Sequence, residues 1–273
     1  MKSKNQKQND LLTLAKITWC PGCTNFAILT ALKKAVLELE KRGIKRENIV
    51  FTTEIGCHGK FFDYLNLNSF YGLHGRSVPF SEGIKLANPN LKVFAIVGDG
   101  DAYNEGLSHL IFAAKRNIDI SVFVCDNRNF ALTVSQFTAT SPKGFKGSST
   151  PKGSLEEPFN PLELIFSAGA TFIARGYALK IESLKDLIVK AILHKGFSFL
   201  EILQPCITFF DLRKFYQERI YELKEENLED KKYALKKIKE WDYKNENRKI
   251  PLGIFYKIEK PTFDDLVKNI QSL

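Results

Sequence analysis

The amino-acid sequence predicts an α/β protein built on a doubly wound, mostly parallel β-sheet. Along most of its 273 residues, strand-like segments alternate with segments that are apolar at helical spacing. This alternation is typical of a parallel sheet that is covered by helices on both faces. The chemically distinctive loops follow the predicted strands, and ligands bind outside the carboxyl ends of strands in such sheets. We therefore expect a single site at that edge.

The first half of the chain supplies the first predicted helices and strands. Residues 25–40 (NFAILTALKKAVLELE) are apolar at helical spacing and directly follow a CPGC loop. Residues 48–53 (NIVFTT) predict a strand that ends in the turn EIGCHG. Residues 91–97 (LKVFAIV) predict a second strand, which ends at GDGD and is followed by a helix over 104–116. Residues 118–125 (IDISVFVC) are apolar almost throughout, as a strand buried on both faces should be.

The second half continues the alternation after a loop rich in Ser, Thr, Lys and Gly at residues 138–154. We predict a short helix near 161–168 and a strand over 171–175 (TFIAR). A helix over 181–194 and a strand over 198–203 (SFLEIL) follow, and this strand ends at QPC. Four distinctive loops should therefore meet at one edge of the sheet, namely EIGCHG, GDGD, DNRNFALT and QPC.

Composition and charge limit the functional classes. The N-terminal MKSKNQKQND is polar and lacks the apolar core of a signal peptide. No apolar run approaches the roughly 20 residues that a membrane span needs, so we expect a soluble, cytoplasmic protein. The net charge of +9 comes mainly from lysines in the N-terminal tail and in residues 214–260, where the charges are mixed in sign. This pattern favours a solvated surface, which could also attract an acidic partner or an anionic substrate. Nucleic-acid binding is the disfavoured alternative and would show a steeply salt-dependent affinity.

The stretch WCPGC at residues 19–23 is compatible with three chemistries. A Cys-x-x-Cys can be the redox dithiol of a thioredoxin-like unit, half of a zinc site, or half of the ligand set of an iron–sulfur cluster. The chain has five cysteines, which does not suggest a disulfide scaffold in a protein of this length. In an intracellular protein the motif more often binds metal or does redox chemistry. No strand is predicted before it, which disfavours the thioredoxin-like alternative.

The stretch GDGD at residues 98–101 suggests a phosphate site. Its glycines allow the backbone to approach a ligand closely, and the following helix N-terminus favours an anion. Asp99 is placed to hold a divalent cation, and Asn127, after the next strand, could supply a second oxygen ligand. The pair predicts a diphosphate held through Mg²⁺. The alternative for GDG alone is a tight strand–helix turn with a capping Asp.

The interval from Gly98 to Asn127 resembles the thiamine-diphosphate motif, which opens with GDG and closes with Asn. The segments WCPGC, EIGCHG, LHGRSVPFSEGIKLANPNLKVFAIVGDGD, NIDISVFVCDN, QPCITF and PLGIFYKIEKPTFDD look like the β subunit of 2-oxoacid:ferredoxin oxidoreductases. The resemblance extends from about residue 15 to residue 267. It implies a thiamine-diphosphate-binding fold of the diphosphate half, with a C-terminal helical or irregular tail. The expected organisation is a polar tail over 1–14, an α/β domain over 15–210 that binds thiamine diphosphate and the cluster, and an extension over 211–273 packed on the same domain.

The resemblance also implies the residues that bind cofactors. A [4Fe–4S] cluster would be held by four cysteines, namely Cys20, Cys23, Cys57 and Cys206. Zinc could use the same four thiolates, and the remaining Cys125 is expected in the core. Mg²⁺ would be held by the side chains of Asp99 and Asn127 and the backbone carbonyl of Asn129. The residues that would line the thiamine-diphosphate site are Ile55, Gly56, Cys57, His58, His74, Gly100, Asp101, Ala131 and Leu132.

The activity implied by the resemblance is oxidative decarboxylation of a 2-oxoacid, such as pyruvate or 2-oxoglutarate. Thiamine diphosphate would attack the carbonyl of the 2-oxoacid and CO₂ would be lost. The acyl group would pass to coenzyme A, and electrons would leave through the cluster to ferredoxin. In this family the Glu that activates the aminopyrimidine belongs to the α subunit, so no catalytic residue is expected in this chain. We expect it to be inactive without the α subunit. Subunits of the γ and δ types are further candidate partners, and we expect neither nucleic acid nor a membrane as a partner.

The sequence departs from the family pattern after the motif, where the family usually reads DNG-x-Y-GLTKGQ and this chain reads DNRNFALTVSQ. Arg128 and Ala131 replace glycines, which would cost about 1 kcal/mol or more wherever the backbone needs a positive φ. Val134 and Ser135 stand where Lys-Gly is common, which leaves the substrate open. These departures leave open a subunit that keeps the cluster for electron transfer or structure but lacks turnover. The four cysteines leave open a second alternative, a non-redox thiamine enzyme with structural zinc.

Overall fold

One eight-stranded sheet organises the chain in the structure, a computed structural model that describes residues 10–245 and 247–271. The strand order is 2-1-3-4-6-5-8-7. Strands 1 to 6 are mutually parallel, strand 8 runs antiparallel to strand 5, and strand 7 runs parallel to strand 8. The predicted α/β fold with a mostly parallel sheet is confirmed. The strands are β1 (Ile49–Thr53), β2 (Asn68–Tyr71), β3 (Lys92–Gly98), β4 (Ser121–Asp126), β5 (Phe172–Tyr177), β6 (Ser198–Leu203), β7 (Ile220–Glu222) and β8 (Ile250–Lys257).

Helices cover both faces of this sheet. Alternate residues of β3 belong to two separate cores, with Phe94 and Ile96 in one and Val93, Ala95 and Val97 in the other. Each large apolar side chain buried in these cores contributes about 1.5–3 kcal/mol relative to an exposed one. The helices are α1 (Asn25–Lys41), α2 (Phe61–Tyr64), α3 (Ser77–Ala87), α4 (Leu107–Arg116), α5 (Pro161–Ala168), α6 (Ile181–Leu193), α7 (Arg213–Arg219), α8 (Lys231–Ile238) and α9 (Phe263–Gln271).

Local sequence signals explain where helix α5 begins and ends. The side chain of Asn160 accepts a hydrogen bond from the backbone N–H of Glu163, and Pro161 occupies the first helical position. Gly169 ends the helix in the left-handed region at a φ of 96°. The bounds therefore match the prediction for residues 161–168.

The C-terminal segment differs from the expected helical or irregular tail. Strand β8 pairs with β5 and extends the sheet, so this part of the segment is integral to the domain. Pro251 and Gly253 interrupt the strand-like pattern in the sequence, and Gly253 has a φ of 120°. Trp241 and Tyr243 belong to a third core that includes Tyr177 of the central sheet. Residues 1–9 of the expected N-terminal tail lie outside the described residues.

The topology brings the distinctive loops together. Strands β1, β3, β4 and β6 are consecutive neighbours in the sheet and are parallel. The loops EIGCHG, GDGD, DNRNFALT and QPC follow their carboxyl ends, as predicted. Within the part of the chain that the structure describes, no helix combines the length and the apolar composition needed to cross a membrane.

Candidate functional site

A cavity at the carboxyl ends of β1, β3 and β4 contains all the residues that the sequence analysis assigned to thiamine diphosphate or Mg²⁺. It is lined by Ile55, Gly56, Cys57, His58, His74, Gly98, Asp99, Gly100, Asp101, Asn127, Asn129, Phe130, Ala131, Leu132 and Thr133. These residues come from four chain segments. The topology of the parallel sheet is therefore what brings them together.

Two glycines shape the floor of this cavity. A Cβ atom added to Gly98 would lie 2.7 Å from Cε1 of His58, and one added to Gly100 would lie 2.1 Å from Cε1 of Phe130. Both distances are too short for real carbon contacts, so larger residues would displace these rings. The predicted helix over 104–116 begins later than expected, because Gly100–Glu105 form a π-helical turn. Such turns are frequent at functional sites.

Asp99 lines the cavity and is 2% exposed. Its Oδ2 accepts hydrogen bonds from the hydroxyls of Thr138, at 2.6 Å, and Thr140, at 3.3 Å. Burial raises the pKa of Asp99 to about 7, although the hydrogen bond from Thr138 acts in the opposite direction. A cation beside this carboxylate would favour its ionised form. No local pattern distinguishes Thr138 or Thr140 from the other hydroxyl residues of the Ser/Thr-rich loop at residues 138–154.

Asn127 and Asn129 add oxygen atoms beside Asp99. The Oδ1 atom of Asn127 accepts a hydrogen bond from the backbone N–H of Asn129 at 3.1 Å. The Oδ1 atom of Asn129 is buried without a hydrogen-bond partner. Carboxylate and amide oxygens are the ligands that Mg²⁺ takes in proteins, often together with substrate phosphates. The donor set, the orphaned oxygen and the glycine floor therefore fit a cation-bound diphosphate.

Asp101 connects two histidines on the wall of the cavity. Its Oδ2 lies 2.9 Å from Nε2 of His58, and its Oδ1 is hydrogen-bonded to Nδ1 of His74. Burial raises the pKa of Asp101, but both histidines act against it and the net shift is downward. The same hydrogen bond raises the pKa of His74, a half-buried residue, against the opposing effect of burial. The sequence predicted these three residues to line one site, but not their mutual contacts.

Glu54 supports this wall from behind the cavity, and no sequence signal identified it. Its Oε2 accepts hydrogen bonds from the backbone N–H groups of Arg76, at 2.7 Å, and Ser77, at 2.9 Å, at the start of α3. Burial raises the pKa of Glu54 to about 8, and the nearby Asp101 carboxylate acts in the same direction. These bonds tie the segment that contains His74 to the end of β1.

A second cavity, of about 140 Å³, contains the four cysteines assigned to a metal centre. They come from the CPGC loop, the EIGCHG turn and the QPC segment, and are Cys20, Cys23, Cys57 and Cys206. The indole N–H of Trp19 donates to the backbone carbonyl of Cys57 at 2.7 Å. Burial raises the pKa of the Cys23 thiol and raises that of Cys57 to about 11. Cys125 lies elsewhere, in the core, as predicted.

The cavity lined by the four cysteines, below called the cysteine cavity, adjoins the first cavity, which contains the GDG turn and is below called the diphosphate cavity after its expected ligand. Both are lined by Cys57, Asn127, Ala131 and Leu132. Across residues 10–245 and 247–271 no group of three or more His, Cys, Asp or Glu side chains is arranged so that it could hold a metal ion. The four cysteines nevertheless line one cavity, and thiolates are the ligands of both iron–sulfur clusters and structural zinc.

The departures from the family pattern have different structural consequences. Arg128 has a φ of 59°, and Val134 and Ser135 have φ values of 72° and 69°. These three residues therefore occupy the left-handed region that favours glycine, whereas Ala131 does not. Arg128 is buried, and its Nε donates to the carbonyl of Thr140 at 2.6 Å. It thereby restrains the loop that holds Asp99.

Comparisons with known proteins agree with this geometry. Residues 54–202 match the family "thiamine pyrophosphate enzyme, C-terminal TPP binding domain", and residues 206–272 match the C-terminal family of the pyruvate ferredoxin oxidoreductase β subunit. The β subunit of a Sulfolobus 2-oxoacid:ferredoxin oxidoreductase is 39% identical over 267 residues, which cover 92% of this chain and 85% of the relative. The 2-oxoglutarate synthase subunit KorB of Methanothermobacter marburgensis is 34% identical over 91% of this chain and 86% of its own length.

A solved structure gives the same result. The 2-oxoglutarate:ferredoxin oxidoreductase from Magnetococcus marinus, with 2-oxoglutarate, coenzyme A and succinyl-CoA bound, is similar with a TM-score of 0.92 and 30% identity. The match covers 99% of this chain and 91% of that one. Fold, thiamine-diphosphate-binding domain and C-terminal segment all coincide with one family. The chain belongs to the β subunits of the 2-oxoacid:ferredoxin oxidoreductases.

Proposed function

We propose that this subunit supplies the diphosphate site and the electron-transfer centre for oxidative decarboxylation of a 2-oxoacid. The 2-oxoacid and coenzyme A would be converted to an acyl-CoA and CO₂, with the electrons passed through a [4Fe–4S] cluster to ferredoxin. One observation carries this proposal. The cavity lined by four cysteines directly adjoins the cavity lined by the GDG turn and Asn127, and the two share Cys57.

The diphosphate cavity would bind thiamine diphosphate through Mg²⁺. The cation would be held by the side chains of Asp99 and Asn127 and the backbone carbonyl of Asn129. When bound, thiamine diphosphate supplies the electron sink for decarboxylation. The chain's own contribution is to hold the diphosphate end beside Asp99 and Asn127, which are both buried. The proposed lining residues are Ile55, Gly56, Cys57, His58, His74, Gly100, Asp101, Ala131 and Leu132.

The cysteine cavity would hold the [4Fe–4S] cluster through Cys20, Cys23, Cys57 and Cys206. Burial raises the pKa of the thiols of Cys23 and Cys57, which favours their protonated form when no cation is bound. Metal binding requires their deprotonation, so loading should release protons. When bound, the cluster carries single electrons. The residues shared by the two cavities would keep the electron-transfer distance short.

Pyruvate and 2-oxoglutarate are the two candidate 2-oxoacid substrates of the complex. The names of several relatives specify 2-oxoglutarate, and the similar solved structure contains it. The loop that contains Val134 and Ser135 lacks the lysine that is common in the family. We therefore propose a 2-oxoacid as the substrate class. Activity assays with different 2-oxoacids would identify the particular substrate.

The proposed reaction requires an α subunit that supplies the carboxylate for the aminopyrimidine end. The test is co-purification of this chain with the α subunit from the same organism, followed by assay of ferredoxin reduction without oxygen. Reduction that needs a 2-oxoacid, coenzyme A and both subunits is the expected result. A complex that binds thiamine diphosphate and contains the cluster, yet reduces no ferredoxin with any 2-oxoacid, would instead identify a subunit without turnover.

A further inference from the structure

A buried hydrogen-bonded chain connects the loop after Cys23 to Asn127. We propose that Gln204 is a positioning residue that fixes the orientation of the Asn127 amide, and that Thr24 fixes Gln204 in turn. The inference rests on the proposed function, because it concerns how Asn127 meets Mg²⁺. Neither Gln204 nor Thr24 is among the residues assigned to that cation.

The backbone carbonyl of Pro205 fixes which group donates in each hydrogen bond of this series. The carbonyl oxygen of Pro205 can only accept, so the hydroxyl of Thr24 donates to it at 2.9 Å. A hydroxyl has a single proton, so the Oγ1 atom of Thr24 can only accept from its second neighbour. That neighbour is Nε2 of Gln204, at 3.0 Å. The amide of Gln204 therefore has one permitted orientation.

The orientation of Gln204 determines that of Asn127. With its nitrogen directed at Thr24, Gln204 presents Oε1 to Nδ2 of Asn127 at 3.2 Å. The Oδ1 atom of Asn127 then faces the opposite way and accepts the N–H of Asn129 at 3.1 Å. An amide oxygen has two lone pairs, so one remains for a cation. A flipped Asn127 would present an NH₂ group, which cannot ligate Mg²⁺.

Strand register and burial make this arrangement stable. Asp126 at the end of β4 is paired with Leu203 at the end of β6, which places Asn127 beside Gln204. Thr24, Gln204 and Asn127 are 2%, 3% and 8% exposed. Bulk water therefore competes little for these groups, and an unpaired amide would carry a desolvation cost. This series of hydrogen bonds also links the two cavities, because Thr24 follows Cys23 and Pro205 precedes Cys206.

The test measures the Mg²⁺ affinity of the complex of this chain with its α subunit by calorimetric titration at saturating thiamine diphosphate. The variants are Gln204→Leu, which removes the acceptor for Asn127, and Thr24→Val, which removes the hydroxyl at nearly constant shape. Thr24→Ser restores the hydroxyl and is the rescue variant. Thr30→Val is the matched control, because its hydroxyl donates to the carbonyl of Phe26 within helix α1. Iron and sulfide content is measured for every variant.

Gln204→Leu and Thr24→Val should each weaken Mg²⁺ binding by about 10- to 100-fold, the usual effect of losing an outer-shell partner. Thr24→Ser and Thr30→Val should bind like the wild type, and all variants should retain iron. The double variant of Gln204 and Thr24 should be no weaker than Gln204→Leu, because the two residues act in series. Unchanged affinity in Gln204→Leu, or weaker affinity only in step with lost iron, overturns the role of Gln204. Unchanged affinity in Thr24→Val overturns the role of Thr24. A wild type without Mg²⁺-dependent binding of thiamine diphosphate overturns the proposed function itself.

Discussion

Replacement of Arg128 by glycine tests how this chain accommodates a large residue where its family usually has glycine. The side chain donates to the carbonyl of Thr140 at 2.6 Å and to that of Tyr243 at 3.3 Å. Its guanidinium lies 5.9 Å from the ring centre of Trp241 and 5.6 Å from that of Tyr243. Burial raises the pKa of Asp126 well above its usual value, and the charge of Arg128 opposes that shift.

Loss of the two hydrogen bonds from the charged guanidinium to buried carbonyls costs about 3–5 kcal/mol in total, at roughly 1.5–3 kcal/mol each. Glycine adopts the left-handed backbone without strain, which offsets about 1 kcal/mol of this loss in the glycine variant only. We therefore expect Arg128→Gly to lower the free energy of unfolding by about 2–4 kcal/mol, and Arg128→Ala by about 1 kcal/mol more. Urea denaturation followed by circular dichroism measures both, with a midpoint shift at constant slope.

Arg213→Ala is the control for this experiment, because Arg213 pairs with Asp211 on the surface. It should change stability far less than either Arg128 variant. An Arg128→Gly variant as stable as the wild type would refute the reasoning, because the buried guanidinium would then contribute no net stability. Equal stability of the glycine and alanine variants would show that the positive φ carries no cost.

Three further predictions concern the diphosphate cavity. Asp99→Asn should weaken Mg²⁺-dependent binding of thiamine diphosphate to the complex with the α subunit by about 10- to 100-fold in calorimetry, because the buried carboxylate loses its charge. Unchanged affinity would show that the negative charge of Asp99 does not contribute to cation binding. Gly100→Ala should also weaken this binding, because the new Cβ would lie 2.1 Å from Cε1 of Phe130; wild-type affinity would show that the ring moves without consequence. His74→Gln should lower the urea midpoint at about pH 5.5 and have little effect at about pH 9. The hydrogen bond to the Asp101 carboxylate raises the pKa of His74 above 6.5. The stability that protonated His74 contributes is therefore present below pH 6.5 and is lost as the pH rises through the shifted pKa. An equal change of the urea midpoint at both pH values would contradict this.

Apolar periodicity predicted the elements whose signal is local. Helix α1 and strands β1 and β3 lie within a residue of their predicted bounds, because their apolar patterns are uninterrupted. Strand β8 was not predictable, since Pro251 and Gly253 break its pattern and its partner β5 is distant in sequence. The edge strand β2 is short and largely exposed, so it has no apolar run to reveal it.

The site could be predicted to the level of its loops but not of its supporting contacts. The glycines of GDG and the carboxylate of Asp99 have a recognisable chemistry next to a strand end. No local sequence pattern indicates which hydroxyls of the Ser/Thr-rich loop donate to Asp99. Nor does one indicate that Arg128 donates to the carbonyl of Tyr243, 115 residues later. Such contacts depend on the tertiary arrangement rather than on the local pattern. The role inferred for Gln204 depends on strand register in the same way.

The central claim is that four cysteines of this chain hold an iron–sulfur cluster beside the diphosphate site. The most direct measurement is iron, acid-labile sulfide and zinc per chain on protein purified without oxygen, for the wild type, Cys57→Ser and Cys125→Ser. We expect about four irons and four sulfides in the wild type and in Cys125→Ser, and a clear loss in Cys57→Ser. About one zinc and no sulfide in the wild type would contradict the claim and leave a thiamine-type subunit with a structural metal.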